Sequence, residues 1–169
     1  MRIAAEAVKS ASHPHHFMAV TKGGRSAIAA TSGNEDCHVI LRGGSQPNYD
    51  SASVAAAAAE LARAGVTPRI MIDASHANSG KRPENQPAVV ADIARQISGG
   101  EQRIVGVMIE SNLVGGRQDV VPGAALTYGQ SITDGCIDWL TTVSALDLLA
   151  EAVAARGDVR SRKFRERSA

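Results

Sequence analysis

Apolar residues in this chain fall into short, nearly continuous runs set between longer stretches with helical character. CHVIL (residues 37–41), RIMID (69–73) and IVGVMI (104–109) have the length and β-branched content of buried strands. Their unbroken apolar character predicts a parallel sheet covered on both faces, since a half-solvated antiparallel strand would alternate. The first run is followed by a predicted helix over 51–64, with Asp50 and Ser51 as candidate N-caps and Gly65 where a C′ glycine belongs. The second precedes a predicted helix over 87–98, closed by Gly99 and Gly100. A last helix is predicted over 142–156, with Thr141 as a cap and Gly157 as its stop. Upstream, HHFMAV (15–20) reads as a further strand, preceded by the helical RIAAEAVKSAS. The turn formers Lys22, Gly23 and Gly24 and a second run over 26–30 follow it, and the two runs suit a small hairpin beside the main sheet.

The pattern predicts an α/β fold with four parallel βα-type strands plus the hairpin. Repeated βα units build either an open doubly wound sheet or a (β/α)8 barrel. GxGxxG and GxxxxGK[ST] are missing from the sequence, which weakens the first. A complete barrel takes eight strands and roughly 200 to 250 residues, so four strands in 169 residues amount to half of one.

Eighteen basic and seventeen acidic side chains leave a net charge of +1, which argues against nucleic acid as a partner. The charge is uneven, because residues 156–169 carry six basic and two acidic groups. That segment reads as a solvated, disordered basic tail, or as a run that docks on an acidic partner. No apolar stretch approaches the roughly 20 residues that span a bilayer, and the first residues lack the apolar core of a signal peptide. The expected location is therefore cytoplasmic, with no membrane partner. Cys37 and Cys136 have no metal-type spacing and read as free thiols that pack as small apolar groups.

In βα architectures the functional groups gather at the carboxyl ends of the strands. After CHVIL comes Arg42 with Gly43 and Gly44: a planar fork suited to phosphate or carboxylate, or a structural ion pair. After RIMID, His76 lies among small residues, as a ligand or as a satisfied structural imidazole. After IVGVMI, Glu110 ends a buried strand, where an unpaired charge is costly and demands a partner. Asp134 follows in the polar segment SITD. One histidine and two carboxylates from separate loops form a set able to bind Mn²⁺, Fe²⁺, Co²⁺ or Zn²⁺, though any barrel end collects such residues. His13, His15 and His16 are denser in imidazole but enter a strand, where successive side chains point to opposite faces.

Four segments taken together, HHFMAVTKGGRSAIAATSGNEDCHVILRGGSQPNYD, MIDASHANSGKRPENQ, GVMIESNLVGGRQ and LTYGQSITDGCIDW, resemble the C-terminal half of the type I 3-deoxy-D-arabino-heptulosonate-7-phosphate (DAHP) synthases. The likeness runs from about residue 3 to 156. It implies the C-terminal half of a (β/α)8 TIM barrel, truncated, over residues 1–156, with 157–169 as the appended tail. It further implies the first step of the shikimate pathway: metal-dependent condensation of phosphoenolpyruvate with erythrose 4-phosphate, releasing phosphate.

By the resemblance, His76, Glu110 and Asp134 are ligands of one divalent ion, His76 or Asp134 also relays a proton, and Arg42 binds the phosphate of phosphoenolpyruvate. The family's ligand cysteine, a lysine and further arginines belong to a preceding half outside these 169 residues. Neither Cys37 nor Cys136 occupies the ligand cysteine's place. Asn112 stands where histidine is common, Gly135 where alanine is common, and Ala19 where some feedback-inhibited members have serine, so inhibition by an aromatic amino acid is not carried over. The expected partner is a complementary N-terminal half-barrel or another copy of the chain, and the isolated chain is expected to be inactive. A non-catalytic half-barrel remnant or interaction module is the alternative. Without the resemblance, a metal-dependent aldolase or hydrolase of another barrel class stays open.

Overall fold

The computed structural model describes the backbone of residues 1–167 and the side chains of residues 1–157. In chain order the elements are α1 (Arg2–Ala11), β1 (His15–Val20), β2 (Ser26–Thr31), β3 (Val39–Leu41), α2 (Ser51–Arg63), β4 (Ile70–Asp73), α3 (Gln86–Ser98), β5 (Ile104–Met108), β6 (Val114–Arg117), β7 (Gln130–Ser131) and α4 (Trp139–Arg167). A short 3-10 turn, Pro83–Asn85, leads into α3.

The centre is a parallel sheet in the order β3-β4-β5. Every second residue faces the helical layer: Val39 and Leu41, Ile70 and Ile72, and Ile104 are buried. They meet Val54, Ala57, Ala58 and Leu61 of α2, Val89, Val90, Ile93 and Ile97 of α3, and Ala145 and Ala152 of α4 in one core. Ile40 and Val105, by contrast, are about half exposed, at 49% and 53%. The coverage on both faces expected for a parallel sheet is therefore present on one face within the described residues.

The helix ends follow local chemistry. Asp50 caps α2 by accepting from the Ser53 N–H (2.9 Å). At its other end Gly65 takes φ +74, so that its N–H reaches the Ala62 carbonyl and the Val66 N–H the Leu61 carbonyl. Gly100 closes α3 in the same way, at φ +104.

Three expectations need correction. HHFMAV does not join the parallel sheet as its fourth strand. It forms instead the hairpin expected with the run over 26–30, pairing antiparallel with Ser26–Thr31 from His15↔Thr31 to Val20↔Ser26, because the Lys22-Gly23-Gly24 turn returns the chain at once and no crossover helix follows it. Beyond β5 the sheet continues instead through a single parallel bridge between Ser111 and Ile137. The last helix starts at Trp139, capped by Asp138, whose carboxylate accepts from the Thr141 N–H (2.8 Å), and not at Thr142. Nor does it stop at Gly157, since an isolated helical glycine costs only about 1 kcal/mol and the neighbouring Arg156 guanidinium ties α4 to the Glu101 carbonyl (3.1 Å). The backbone continues as helix to Arg167; residues 168 and 169 lie outside the described residues.

Candidate metal centre

The loops after β3, β4 and β5 and the loop after β7 meet at one end of the sheet. They line a cavity of about 220 Å³ that includes Arg42, His76, Lys81, Glu110 and Asp134. Hydrogen bonds between the loops fix their approach. Asn78 donates to the carbonyls of Leu41 (3.1 Å) and Asp73 (2.7 Å) and accepts from the Asn48 N–H (2.8 Å). Gly43 is needed where these loops cross: its φ is +75, and a Cβ there would lie 2.8 Å from Ala77 Cβ.

His76 follows the buried end of β4 in a left-handed conformation (φ +46), an unusual state for a residue with a Cβ and one that clusters at functional sites. Its ring is held from one side. Nδ1 lies 2.7 Å from Ser75 Oγ and 2.7 Å from Asp73 Oδ2, while Ser75 Oγ donates to Asp73 Oδ1 (2.8 Å). Ser75 Oγ, which already donates to Asp73 Oδ1, and the Asp73 carboxylate both face Nδ1, and Nε2 lies toward the cavity, 3.6 Å from Glu110 Oε1.

Glu110 is positioned through its backbone by the fully buried Gln86, the first residue of α3. Gln86 Oε1 accepts from the Glu110 N–H (2.9 Å) and its Nε2 donates to the Glu110 carbonyl (3.0 Å). That carbonyl also accepts from the Ile137 N–H (3.0 Å), which draws the segment after Asp134 against the end of β5. Burial pushes the Glu110 carboxyl above its ordinary range, opposed by His76 and reinforced by the negative charges of Asp134 and Asp73.

One donor atom from each of His76, Glu110 and Asp134 lies within 4.8 Å of the others. Donors on a shared ion, each about 2.1 Å from it, stand about 3.4 Å apart in tetrahedral geometry. The His76–Glu110 separation of 3.6 Å already fits. An imidazole and two carboxylates form a borderline-hard set suited to divalent first-row ions, and the local excess of negative charge is what such an ion offsets.

Arg42 lines the same cavity with an exposed side chain, and its Nε stands 3.8 Å from Asp73 Oδ2, too long for a hydrogen bond. The competing histidines do not converge: His13 donates to the Lys9 carbonyl (2.8 Å) and His15 to that of Ser10 (2.7 Å). Cys37 and Cys136 are both half-buried free thiols. Burial pushes the Cys136 thiol up, a Ser131 hydrogen bond opposes this, and Glu110 and Asp134 add to the rise, so thiolate is disfavoured there. Asp73, Ser75 and Gln86 were missed by sequence reasoning. Asp73 was readable only as the last letter of a strand, although a carboxylate ending a buried run carries the same demand for a partner as Glu110.

Residues 1–147 match the DAHP synthetase I family. The Phe-sensitive phospho-2-dehydro-3-deoxyheptonate aldolase of Escherichia coli K12 is 51% identical over 156 residues, covering 92% of this chain and 45% of that protein. The tyrosine-inhibited enzyme of the same name from Schizosaccharomyces pombe is 52% identical over 159 residues, covering 91% and 43%. The solved structure of phospho-2-dehydro-3-deoxyheptonate aldolase from Francisella tularensis SCHU S4 matches with a TM-score of 0.85 at 51% identity, over 92% of this chain and 45% of that one. The chain thus spans a little under half the length of these relatives. With likeness this high along nearly all of its own length, the chain belongs to the DAHP synthetase I family.

Proposed function

We propose that residues 1–156 form one half of a (β/α)8 barrel carrying part of a DAHP synthase site, in which His76, Glu110 and Asp134 hold one divalent ion and Arg42 binds the phosphate of phosphoenolpyruvate. The observation that carries this reading is the meeting of three donors from three loops, beside the exposed Arg42 guanidinium, around one cavity at the carboxyl end of a parallel sheet. The reaction joins C3 of phosphoenolpyruvate to the aldehyde carbon of erythrose 4-phosphate, adds water at C2 and releases phosphate. A bound divalent ion supplies Lewis-acid polarisation of the aldehyde.

The chain's own residues bind and orient. His76 presents Nε2 with its ring fixed by Asp73 and Ser75, and Glu110 is fixed by Gln86. Arg42 aligns the anionic donor through its planar fork and so contributes proximity. Asp134, exposed and lining the same cavity, or His76 is the group assigned to relay a proton. The open face of the sheet, with Ile40 and Val105 uncovered, supports a requirement for a complementary half-barrel or a second copy. Turnover by the chain alone is therefore expected to be negligible.

Calorimetric titration of the chain with Mn²⁺, with and without phosphoenolpyruvate, tests the site. The reading expects saturable Mn²⁺ binding, lost in His76→Ala and tightened by phosphoenolpyruvate. Absence of Mn²⁺ binding, or ligands that ignore each other, would overturn it. The second outcome would instead favour a metalloenzyme of another barrel class.

A further inference from the structure

Asp73 is fully buried at the end of β4, yet its Oδ2 has no aligned hydrogen-bond donor. The other oxygen is satisfied twice, by the N–H and the hydroxyl of Ser75, both at 2.8 Å. Oδ2 instead lies between two functional groups, paired electrostatically with His76 Nδ1 at 2.7 Å and Arg42 Nε at 3.8 Å. A buried carboxylate left this poorly compensated costs stability, and burial with incomplete pairing marks a site where function sets the requirement.

We propose that Asp73 is the positioning residue of the cation site. Its carboxylate keeps the proton of His76 on Nδ1, so that Nε2 stays unprotonated and turned toward Glu110 and Asp134, and it faces the guanidinium that binds the substrate anion. One buried charge thus orients both the cation-binding and the anion-binding side of the cavity. The inference rests on the metal reading above, but its imidazole limb stands by itself. Carboxylates that fix the far nitrogen of a ligand histidine strengthen metal binding about 10- to 100-fold.

The test uses the full chain. Nitrogen-15 correlation spectra of the His76 ring at mildly alkaline pH report the tautomer, and calorimetry reports Mn²⁺ affinity. Wild type should show the Nδ1–H form, as should Ser75→Ala, which leaves Asp73 as the only acceptor. Asp73→Asn should populate the Nε2–H form and weaken Mn²⁺ binding about 10- to 100-fold. A wild-type ring in the Nε2–H form overturns the proposal without any variant, so a misfolded Asp73→Asn does not shield it. So does a folded Asp73→Asn with unchanged tautomer and affinity. Wild type that shows Nδ1–H but binds no Mn²⁺ overturns the metal reading while leaving Asp73 as the orienting group.

Discussion

The two faces of the β3-β4-β5 sheet are built from similar residues but meet different surroundings. Toward the helices, Leu41, Ile70, Ile72 and Ile104 are buried against α2, α3 and α4; away from them, Ile40 and Val105 are about half exposed. A three-stranded parallel sheet with one apolar face uncovered is an incomplete layer arrangement. The contrast teaches that, among the described residues, helices cover one face of the sheet and leave the other partly open. The candidate metal centre lies at the end of the sheet where the two meet.

The largest expected effect tests the contrast itself. Ile72→Ala should cost about 2–5 kcal/mol of unfolding free energy, through lost burial and a cavity. Ile40→Ala, half solvated, should cost under about 1 kcal/mol in the chain alone. Urea denaturation of both variants measures the difference, and equal costs would mean that the second face is already covered.

Next in size is the link from the covered layer to the site. Gln86→Ala removes both amide contacts to the Glu110 backbone and should destabilise the chain by about 1–3 kcal/mol. Because those contacts fix Glu110, Mn²⁺ affinity should fall as well; a loss of stability with affinity untouched would show that Gln86 serves packing alone.

The smallest effect is at the opposite end of the sheet, where charges are well paired. A side-chain hydrogen bond from Arg103 holds the Glu101 carboxyl below its ordinary range, reinforced by the Arg103 N–H and charge against some burial. A depressed carboxyl pKa stabilises the fold above the unfolded-state value of about 4.3. That contribution disappears as pH falls through the lower folded value. It should amount to under about 1 kcal/mol, since Arg103 is partly solvated, and Glu101→Gln should remove this part of the acid dependence of the denaturation midpoint.

Local signals were legible in the sequence where a single residue type decides the geometry. Asp50, Gly65 and Gly100 act at the helix ends where their chemistry predicts. Strand ends named the residues that the fold gathers: His76, Glu110, Asp134 and Arg42. What local pattern does not carry is pairing. Gln86 reads as a polar helix start until Glu110, 24 residues later, is brought beside it. The extent of α4 was misjudged because Gly157 is a strong stop only where the chain turns away.

The central claim is that this chain supplies one half of a synthase site and needs the other. Co-expression with the N-terminal half of a related synthase, followed by an assay of phosphate release dependent on both phosphoenolpyruvate and erythrose 4-phosphate, tests it most directly. The account predicts release from the co-purified halves, none from either half alone, and none from the pair when His76 is replaced by alanine. Full turnover by this chain alone, or silence from halves that do associate, would contradict it.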